Sequence, residues 1–144
     1  MTRITAVALL GVLLCAAPAR ADQTADTLAG LNLIGRWAAD CADPNNRGIS
    51  YTMAAGGSAI YVNPIGSFPI LAVSASGREI TVTIRFSKPT AEVRVNTFTM
   101  VDGNSLVPLT NRNEQNEYTV RDGILLRTGK KMPELHRCGE PGNS

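Results

Sequence analysis

Turn-forming residues recur about every 8–12 residues from Gly35 to the C-terminus, and this spacing limits the possible fold more than any other feature of the sequence. β-Branched residues fill the intervals, as is typical of strands. In the clearest interval, Glu79–Phe86, four apolar side chains alternate strictly with Glu, Thr, Thr and Arg. Alternation of period two predicts an antiparallel strand with one buried face and one face in solvent.

Short hairpins predict how these strands connect. Asp102-Gly103-Asn104 and Asp122-Gly123 are strong hairpin signals, because both central positions of such turns can adopt positive φ. Tight turns favour an up-and-down meander, whose edges must be hidden by closure or stacking. The sequence predicts an all-β fold, an antiparallel meander closed into a small barrel of about 8–10 short strands, with a sandwich as the alternative. The predicted strands are Arg36–Cys41, Ile49–Ala54, Ser58–Asn63, Ile70–Ser74, Glu79–Phe86, Glu92–Val101, Ser105–Thr110, Glu117–Val120, Ile124–Thr128 and Glu134–Arg137.

Residues 1–21 have the order of a secretory signal peptide: a positive start, an apolar stretch, and small residues before a cleavage point at Asp22. The apolar run is shorter than the roughly 20 residues of a membrane anchor. A lipoprotein signal would place small residues before Cys15, where two leucines stand. Cleavage would leave a lead segment, residues 22–34, with a short helical turn, and a single barrel domain, residues 35–144. The predicted location is the periplasm or the extracellular space, with bacterial export favoured.

Removal of the signal peptide changes the charge balance. The chain has 14 Lys and Arg residues against 12 Asp and Glu, and two of the basic residues, Arg3 and Arg20, lie in the signal. The mature chain therefore has 12 of each, and no net positive field favours binding to phosphates. We expect no nucleic-acid partner.

Two of the three cysteines remain after cleavage, Cys41 and Cys138. An even number in an exported chain predicts a disulfide, with two buried thiols as the alternative. Cys41 ends the first predicted strand, and Cys138 follows the last. Bonding them requires these strands to approach within about 7 Å between Cα atoms, as closure of a meander would bring about.

Residues 31–37 (LNLIGRW) combine a short leading turn with Gly35-Arg36-Trp37 at the start of the first predicted strand. This segment is similar to the start of lipocalins and, more broadly, of the calycin barrels, which include avidin-like and fatty-acid-binding proteins. The resemblance implies that Trp37 plugs the closed end of the barrel, with a basic residue near the last strand over its ring. Arg137 is the candidate for this cation–π contact, and Arg121 and Arg127 are alternatives. Burial of Trp37 as an ordinary core residue is the other interpretation.

The chain also resembles small exported bacterial proteinase inhibitors, which combine a compact barrel, a Gly-x-Trp opening and one disulfide. In that family a free N-terminal segment enters the protease cleft. The resemblance implies that Asp22–Thr27 would be the corresponding segment here.

Residues suited to catalysis or metal binding are scarce. The one histidine, His136, lies in a predicted strand without a second histidine at ligand spacing. Gly-x-Ser-x-Gly is absent, and the segment 123–131 has one residue too many between its glycines for a phosphate loop. Asp43 lies in a turn sequence, where it is expected to cap the backbone. We therefore predict no catalytic residues, no metal site and no cofactor.

Aromatic side chains are the remaining candidates for binding. Tyr51, Tyr61, Phe68 and Tyr118 are predicted to surround a cavity whose floor is Trp37. Scattered tyrosines at core edges are the alternative, since the chain has only seven aromatic residues.

The sequence thus predicts an exported, monomeric, non-enzymatic protein that holds a small apolar ligand, without stable membrane insertion after signal cleavage. The alternative is a protein-binding module, such as a proteinase inhibitor, that acts through its N-terminal segment or the apolar loop Pro64–Pro69.

Overall fold

The computed structural model describes the backbone of residues 20–139 and the side chains of residues 23–139. Most of the predicted signal peptide, residues 1–19, lies outside the described residues. Within residues 20–139, one helix, α1, precedes eleven strands. The bounds are α1 Arg20–Gly30, β1 Gly35–Ala38, β2 Ile49–Met53, β3 Ala59–Asn63, β4 Gly66–Ser76, β5 Glu79–Phe86, β6 Glu92–Met100, β7 Ser105–Asn113, β8 Tyr118–Arg121, β9 Ile124–Leu125, β10 Lys130–Lys131 and β11 Leu135–Cys138.

Eight of these strands form a closed antiparallel barrel, which confirms the predicted fold class. Strands β1 to β7 follow one another as a meander, and β11 closes the barrel between β7 and β1. The closing strand pairs Leu135 with Leu106 on β7 and Arg137 with Trp37 on β1.

Strands β8 to β10 depart from the predicted meander, because they leave the barrel as a small sheet that we call the flap, residues 118–131. Its first strand pairs with the far half of β7, Asn111 opposite Val120. The near half of the same β7 edge is taken by β11. The flap turn Asp122-Gly123 has φ values of 51° and 74°, as the hairpin signal predicted.

The barrel interior changes from apolar to polar along its axis. On β5, Ile80, Val82 and Ile84 are nearly inaccessible to solvent. The residues opposite them on β6 are Phe98, Asn96 and Arg94, in that order. The inward face of β6 therefore becomes polar toward the end of the barrel that carries the β5–β6 connection.

Helix α1 is longer than the short turn predicted for this segment. Ala25 and Leu28 on its inner face are 1% and 0% exposed, and they pack with Leu33 against the barrel. Burial of this apolar stripe stabilises a helix that propensity alone would not hold. Asn32, with a φ of 55°, ends it. The prediction that Asp22–Thr27 forms a free end is wrong, because this segment lies in the packed helix. No helix within residues 20–139 is long and apolar enough to cross a membrane.

The predicted loop Pro64–Pro69 is a tight turn followed by strand. The side-chain oxygen of Asn63 accepts hydrogen bonds from the backbone N–H groups of Ile65 and Gly66, which closes the turn between β3 and β4. Strand β4 already begins at Gly66, and Phe68 points into the core with 1% exposure. The apolar loop is therefore reduced to Pro64 and the exposed Ile65.

The predicted disulfide is present. Cys41, in the connection after β1, is bonded to Cys138 at the end of β11, with 5.3 Å between their Cα atoms. The bond joins positions 97 residues apart, so it closes nearly the whole domain into one loop.

We predict that the double variant Cys41→Ala/Cys138→Ala unfolds with a free energy about 4 kcal/mol lower than that of the oxidised wild type, because the open unfolded chain gains loop entropy. Urea denaturation followed by circular dichroism measures the change. Reduced wild-type protein is the matched control and should behave like the double variant. Equal unfolding midpoints for oxidised and reduced protein would contradict the prediction.

Candidate functional site

The two ends of the barrel carry different connections between strands. At one end lie the β2–β3, β4–β5 and β6–β7 hairpins, and Leu31, just after α1, lies beside Gly77 and Gly103 of two of them. At the opposite end lie the β3–β4, β5–β6 and β7–β8 connections, and we call this end the mouth.

Trp37 packs in the core beneath α1. It is 0% exposed, and its indole N–H donates a 2.9 Å hydrogen bond to the carbonyl oxygen of Leu33. The guanidinium carbon of Arg137 lies 4.4 Å from the centre of its ring, which confirms Arg137 as the cation–π partner. Arg137 also donates a 2.7 Å hydrogen bond to the carbonyl oxygen of Ile34. Burial lowers the pKa of Arg137.

Three of the other predicted aromatic residues, Tyr51, Phe68 and Tyr61, pack with Phe86 inside the barrel. Tyr51 and Phe68 are each 1% exposed, and the rings of Phe68 and Phe86 lie 4.5 Å apart between centroids. Tyr61 lies between Tyr51 and Phe86, at 5.7 and 6.0 Å from their centroids. These aromatic rings belong to the hydrophobic core of the barrel.

Tyr118 lies elsewhere. It is at the start of the flap, where the guanidinium carbon of Arg121 stands 4.3 Å from its ring centre. Of the five residues predicted to bind a ligand, only Tyr61 lines the cavity that the barrel contains.

This cavity, the mouth cavity, lies between the barrel wall and the flap and has a volume of about 200 Å³. One side is apolar and the other carries amides and hydroxyls. Its volume is below the range of about 300–1,000 Å³ typical of drug-sized ligands. The lining residues are Ile49, Tyr61, Asn96, Phe98, Pro108, Thr110, Asn111, Thr119, Val120, Met132 and Leu135.

A hydrogen-bonded network forms the polar side of the mouth cavity. The guanidinium group of Arg94 donates from Nε to Glu92 at 2.8 Å and from Nη1 to the side-chain oxygen of Asn111 at 2.7 Å. The hydroxyl group of Thr119 donates to the same oxygen at 2.5 Å. The amide nitrogen of Asn111 in turn donates to the side-chain oxygen of Asn96.

Sequence reasoning missed this network. Strand β6 places Val93 and Val95 on its outer face, and Arg94 and Asn96 on its inner face. The alternation rule would turn the two valines inward and so predict the opposite orientation. The register of the β5–β6 hairpin would have indicated the correct orientation. It places Asn96 opposite Val82, which lies on the buried face of β5.

His136 has polar neighbours but no catalytic arrangement. Its Nδ1 lies 3.2 Å from the hydroxyl of Ser105 and 4.0 Å from the carboxylate of Glu134. A relay from serine through histidine to an acid uses both ring nitrogens, whereas both contacts here are made by the same one. Ser105 is also buried, with 6% of its surface exposed. Asp43 caps its turn as expected, accepting a 2.8 Å hydrogen bond from the backbone of Asn45. Within residues 23–139, no cluster of three or more potential metal ligands occurs.

No protein-family model, curated protein or solved structure matches this chain. The segment Gly35-Arg36-Trp37 resembles the start of known small barrels, and the structure has the small closed barrel that this resemblance implies.

The surroundings of Gly35 generate a prediction on stability. Its φ is +132°, and a Cβ atom there would lie 3.1 Å from a nitrogen of Arg137. We expect Gly35→Ala to lower the free energy of unfolding by about 1–3 kcal/mol, because it combines backbone strain with displacement of the guanidinium from Trp37.

Gly30→Ala is the matched control for this change. Among the described residues beyond its own turn of helix, no atom lies within 4 Å of the added methyl group. Because Gly30 belongs to α1, we expect a stability gain of up to about 1 kcal/mol. Denaturant unfolding monitored by tryptophan fluorescence measures both variants. Changes of the same sign would contradict this account.

A second prediction concerns Tyr51. Its buried hydroxyl has no hydrogen-bond partner among the residues that the structure describes, so Tyr51→Phe should raise the free energy of unfolding by about 1 kcal/mol at pH 7. Burial also raises the pKa of Tyr51 well above its usual range.

The raised pKa sets the pH dependence. The unfolded chain loses the Tyr51 proton near pH 10, whereas the folded protein keeps it, so this residue makes wild-type stability fall as the pH rises above about 10. The Phe variant should therefore lose less stability between pH 9 and 11. Urea denaturation across this range tests it, and parallel pH profiles for the two proteins would exclude this role of Tyr51.

Proposed function

We propose that this chain is an exported, non-enzymatic binding protein that holds a small, mostly apolar ligand in the mouth of a calycin-like barrel. The observation that carries the proposal is the mouth cavity, a space of about 200 Å³ with apolar walls and one polar side. Pockets of this composition, in the mouths of barrels, are where small molecules usually bind.

The volume of the cavity limits the ligand. A water-sized group takes up about 30 Å³ in a liquid, so roughly seven such groups fill the space. Ring systems of several cycles and long acyl chains exceed it. A monocyclic compound or a chain of about six to nine non-hydrogen atoms fits it.

Access to the cavity is available beside the flap. Strand β10 ends the sheet and pairs only with β9 among the described strands, so the flap is not joined to β1 or β2. Met132 and Ile49 line the cavity from the two sides of this break in the wall. We propose this break as the entry route for a ligand, because it would let the ligand in without separation of the barrel strands.

Export is supported by the disulfide together with the predicted signal peptide. Disulfides persist in oxidising compartments such as the periplasm and the extracellular space. The bond between Cys41 and Cys138 closes the barrel that would hold the ligand.

The protein-binding alternative has less support. Ala25, in the proposed N-terminal arm, is 1% exposed, and Phe68, in the proposed loop, is buried to the same extent. Ile65 remains as a single exposed apolar residue, which is ordinary on a protein surface.

We predict that filling the cavity abolishes ligand binding without unfolding the barrel. Val120 lines the cavity and is 6% exposed, so Val120→Phe should occupy much of the free volume. The chain, exported to the periplasm of an expression host and incubated with a total extract of small metabolites, should retain a bound mass in native mass spectrometry. This mass should disappear on denaturation and be absent from the variant.

Val95→Phe is the matched control, because it adds the same atoms to the outer face of β6. It should retain the same bound mass as the wild type, and circular dichroism should show that all three proteins are folded. A bare wild-type chain, or equal retention in Val120→Phe, would contradict the proposal.

A further inference from the structure

We infer that Asn96 determines the specificity of the mouth cavity, and that the ligand presents to its Nδ2 an uncharged hydrogen-bond acceptor, namely the carbonyl oxygen of a ketone, aldehyde, ester or amide. This inference rests on the proposed function and specifies the chemistry of the same site.

The orientation of the Asn96 amide follows from Arg94. A guanidinium group can only donate, so the atom of Asn111 that it contacts at 2.7 Å must be the side-chain oxygen. The nitrogen of Asn111 is then the atom that faces Asn96, and it can only donate. The atom of Asn96 that receives this bond must therefore be its oxygen.

The Nδ2 atom of Asn96 is consequently the hydrogen-bond donor of the network that a ligand in the cavity can contact. Asn96 is 7% exposed and lines the cavity, and its Nδ2 bonds to no side chain within the described part of the chain. An amide NH₂ group can donate two hydrogen bonds and accept none. A donor at the wall of a cavity favours a ligand atom that accepts, because a ligand that displaces water from the donor without accepting its hydrogen bond leaves it unpaired at a cost in free energy.

The charges near the network favour a neutral acceptor over a carboxylate. The charge of Arg94 is balanced by Glu92, whose carboxylate lies 2.8 Å from its Nε. A second carboxylate brought into the mouth would lose its water shell while facing a pair that is already neutral. A carbonyl oxygen incurs a much smaller desolvation cost and still accepts from the amide.

The other polar groups of the cavity do not change this preference. The side-chain oxygen of Asn111 already accepts from Arg94 and from Thr119. Tyr61 and Thr110, which also line the cavity, carry hydroxyl groups that can donate as readily as accept. Asn96 is therefore the group whose hydrogen-bonding capacity selects the chemistry of the ligand.

Three monocyclic probes of similar size test the inference on the full exported chain: acetophenone with a ketone, ethylbenzene with no polar atom, and benzoate with a charge. Two-dimensional NMR follows the backbone signals of the cavity residues and the side-chain NH₂ signals of Asn96 during titration. We expect acetophenone to bind about fivefold more tightly than ethylbenzene, the factor for one neutral hydrogen bond, and more tightly than benzoate. The Asn96 NH₂ signals should move further downfield with acetophenone than with ethylbenzene, whose ring can shift them but accepts no hydrogen bond.

Two variants separate specificity from folding. Asn96→Asp keeps an oxygen for Asn111 and replaces the donor with an acceptor, and Asn96→Leu removes both groups. At pH 8 each should lose the fivefold preference for acetophenone while still binding ethylbenzene. The comparison of the three probes on wild-type protein stands even if a variant does not fold.

The outcomes distinguish this inference from the proposed function. If all three probes shift the cavity signals with equal affinity, or benzoate binds most tightly, the role of Asn96 is overturned and the binding cavity stands. If no probe shifts the cavity signals at millimolar concentration, both are overturned. A preference for acetophenone that persists in both variants also overturns the role of Asn96.

Discussion

The barrel depends on β11, a strand of four residues that pairs with β1 on one edge and with β7 on the other. Without it, a meander of seven strands would leave two edges unpaired in solvent, where they could bind other chains. The same strand carries Arg137, which stacks on Trp37, and Cys138, which is bonded to Cys41. Closure, the packing over the tryptophan and the covalent link thus depend on one short segment near the C-terminus.

The mouth cavity forms because two different strands, β11 and β8, pair with the same edge of β7. Because β11 is short, it covers only the half of the β7 edge near Leu106. The other half, near Asn111, pairs with the flap, which turns away from the barrel and does not return to β1. The flap therefore covers this side of the barrel in place of a strand paired with β1, and Ile49 and Met132 both line the mouth cavity there.

The sequence predicted those parts of the fold that local rules govern. Glu79–Phe86 forms a strand with the predicted bounds, since its alternation agrees with a sheet that has one buried face. Asp122-Gly123 forms the predicted hairpin, because few other residues adopt two successive positive φ values.

The candidate site could not be predicted in this way. Whether Val95 or Asn96 faces inward depends on the register between β5 and β6, and a shift of one residue would exchange the two faces. The network that links Asn96 to Arg94 through Asn111 spans two strands, whose pairing is a property of the closed barrel. The aromatic residues were a better guide to the core than to the site, because large apolar side chains fill space wherever they are buried.

The polar network is costly for a chain that needs only to be stable. Replacement of a buried ion pair by apolar residues of similar volume is often neutral or stabilising, and the side chains of Arg94 and Glu92 are largely buried, with 23% and 27% of their surfaces exposed. The barrel already contains apolar packing of this kind, since Ile80, Val82 and Ile84 on β5 are buried and carry no polar side-chain atoms. Arg94 and Asn96 nevertheless face inward, and two valines on the same strand face outward. A network of this kind stabilises the fold fully only when every donor has a partner. Within the described part of the chain, the Nδ2 of Asn96 is the donor of this network that bonds to no side chain, and the carbonyl oxygen that we propose for the ligand would complete the network.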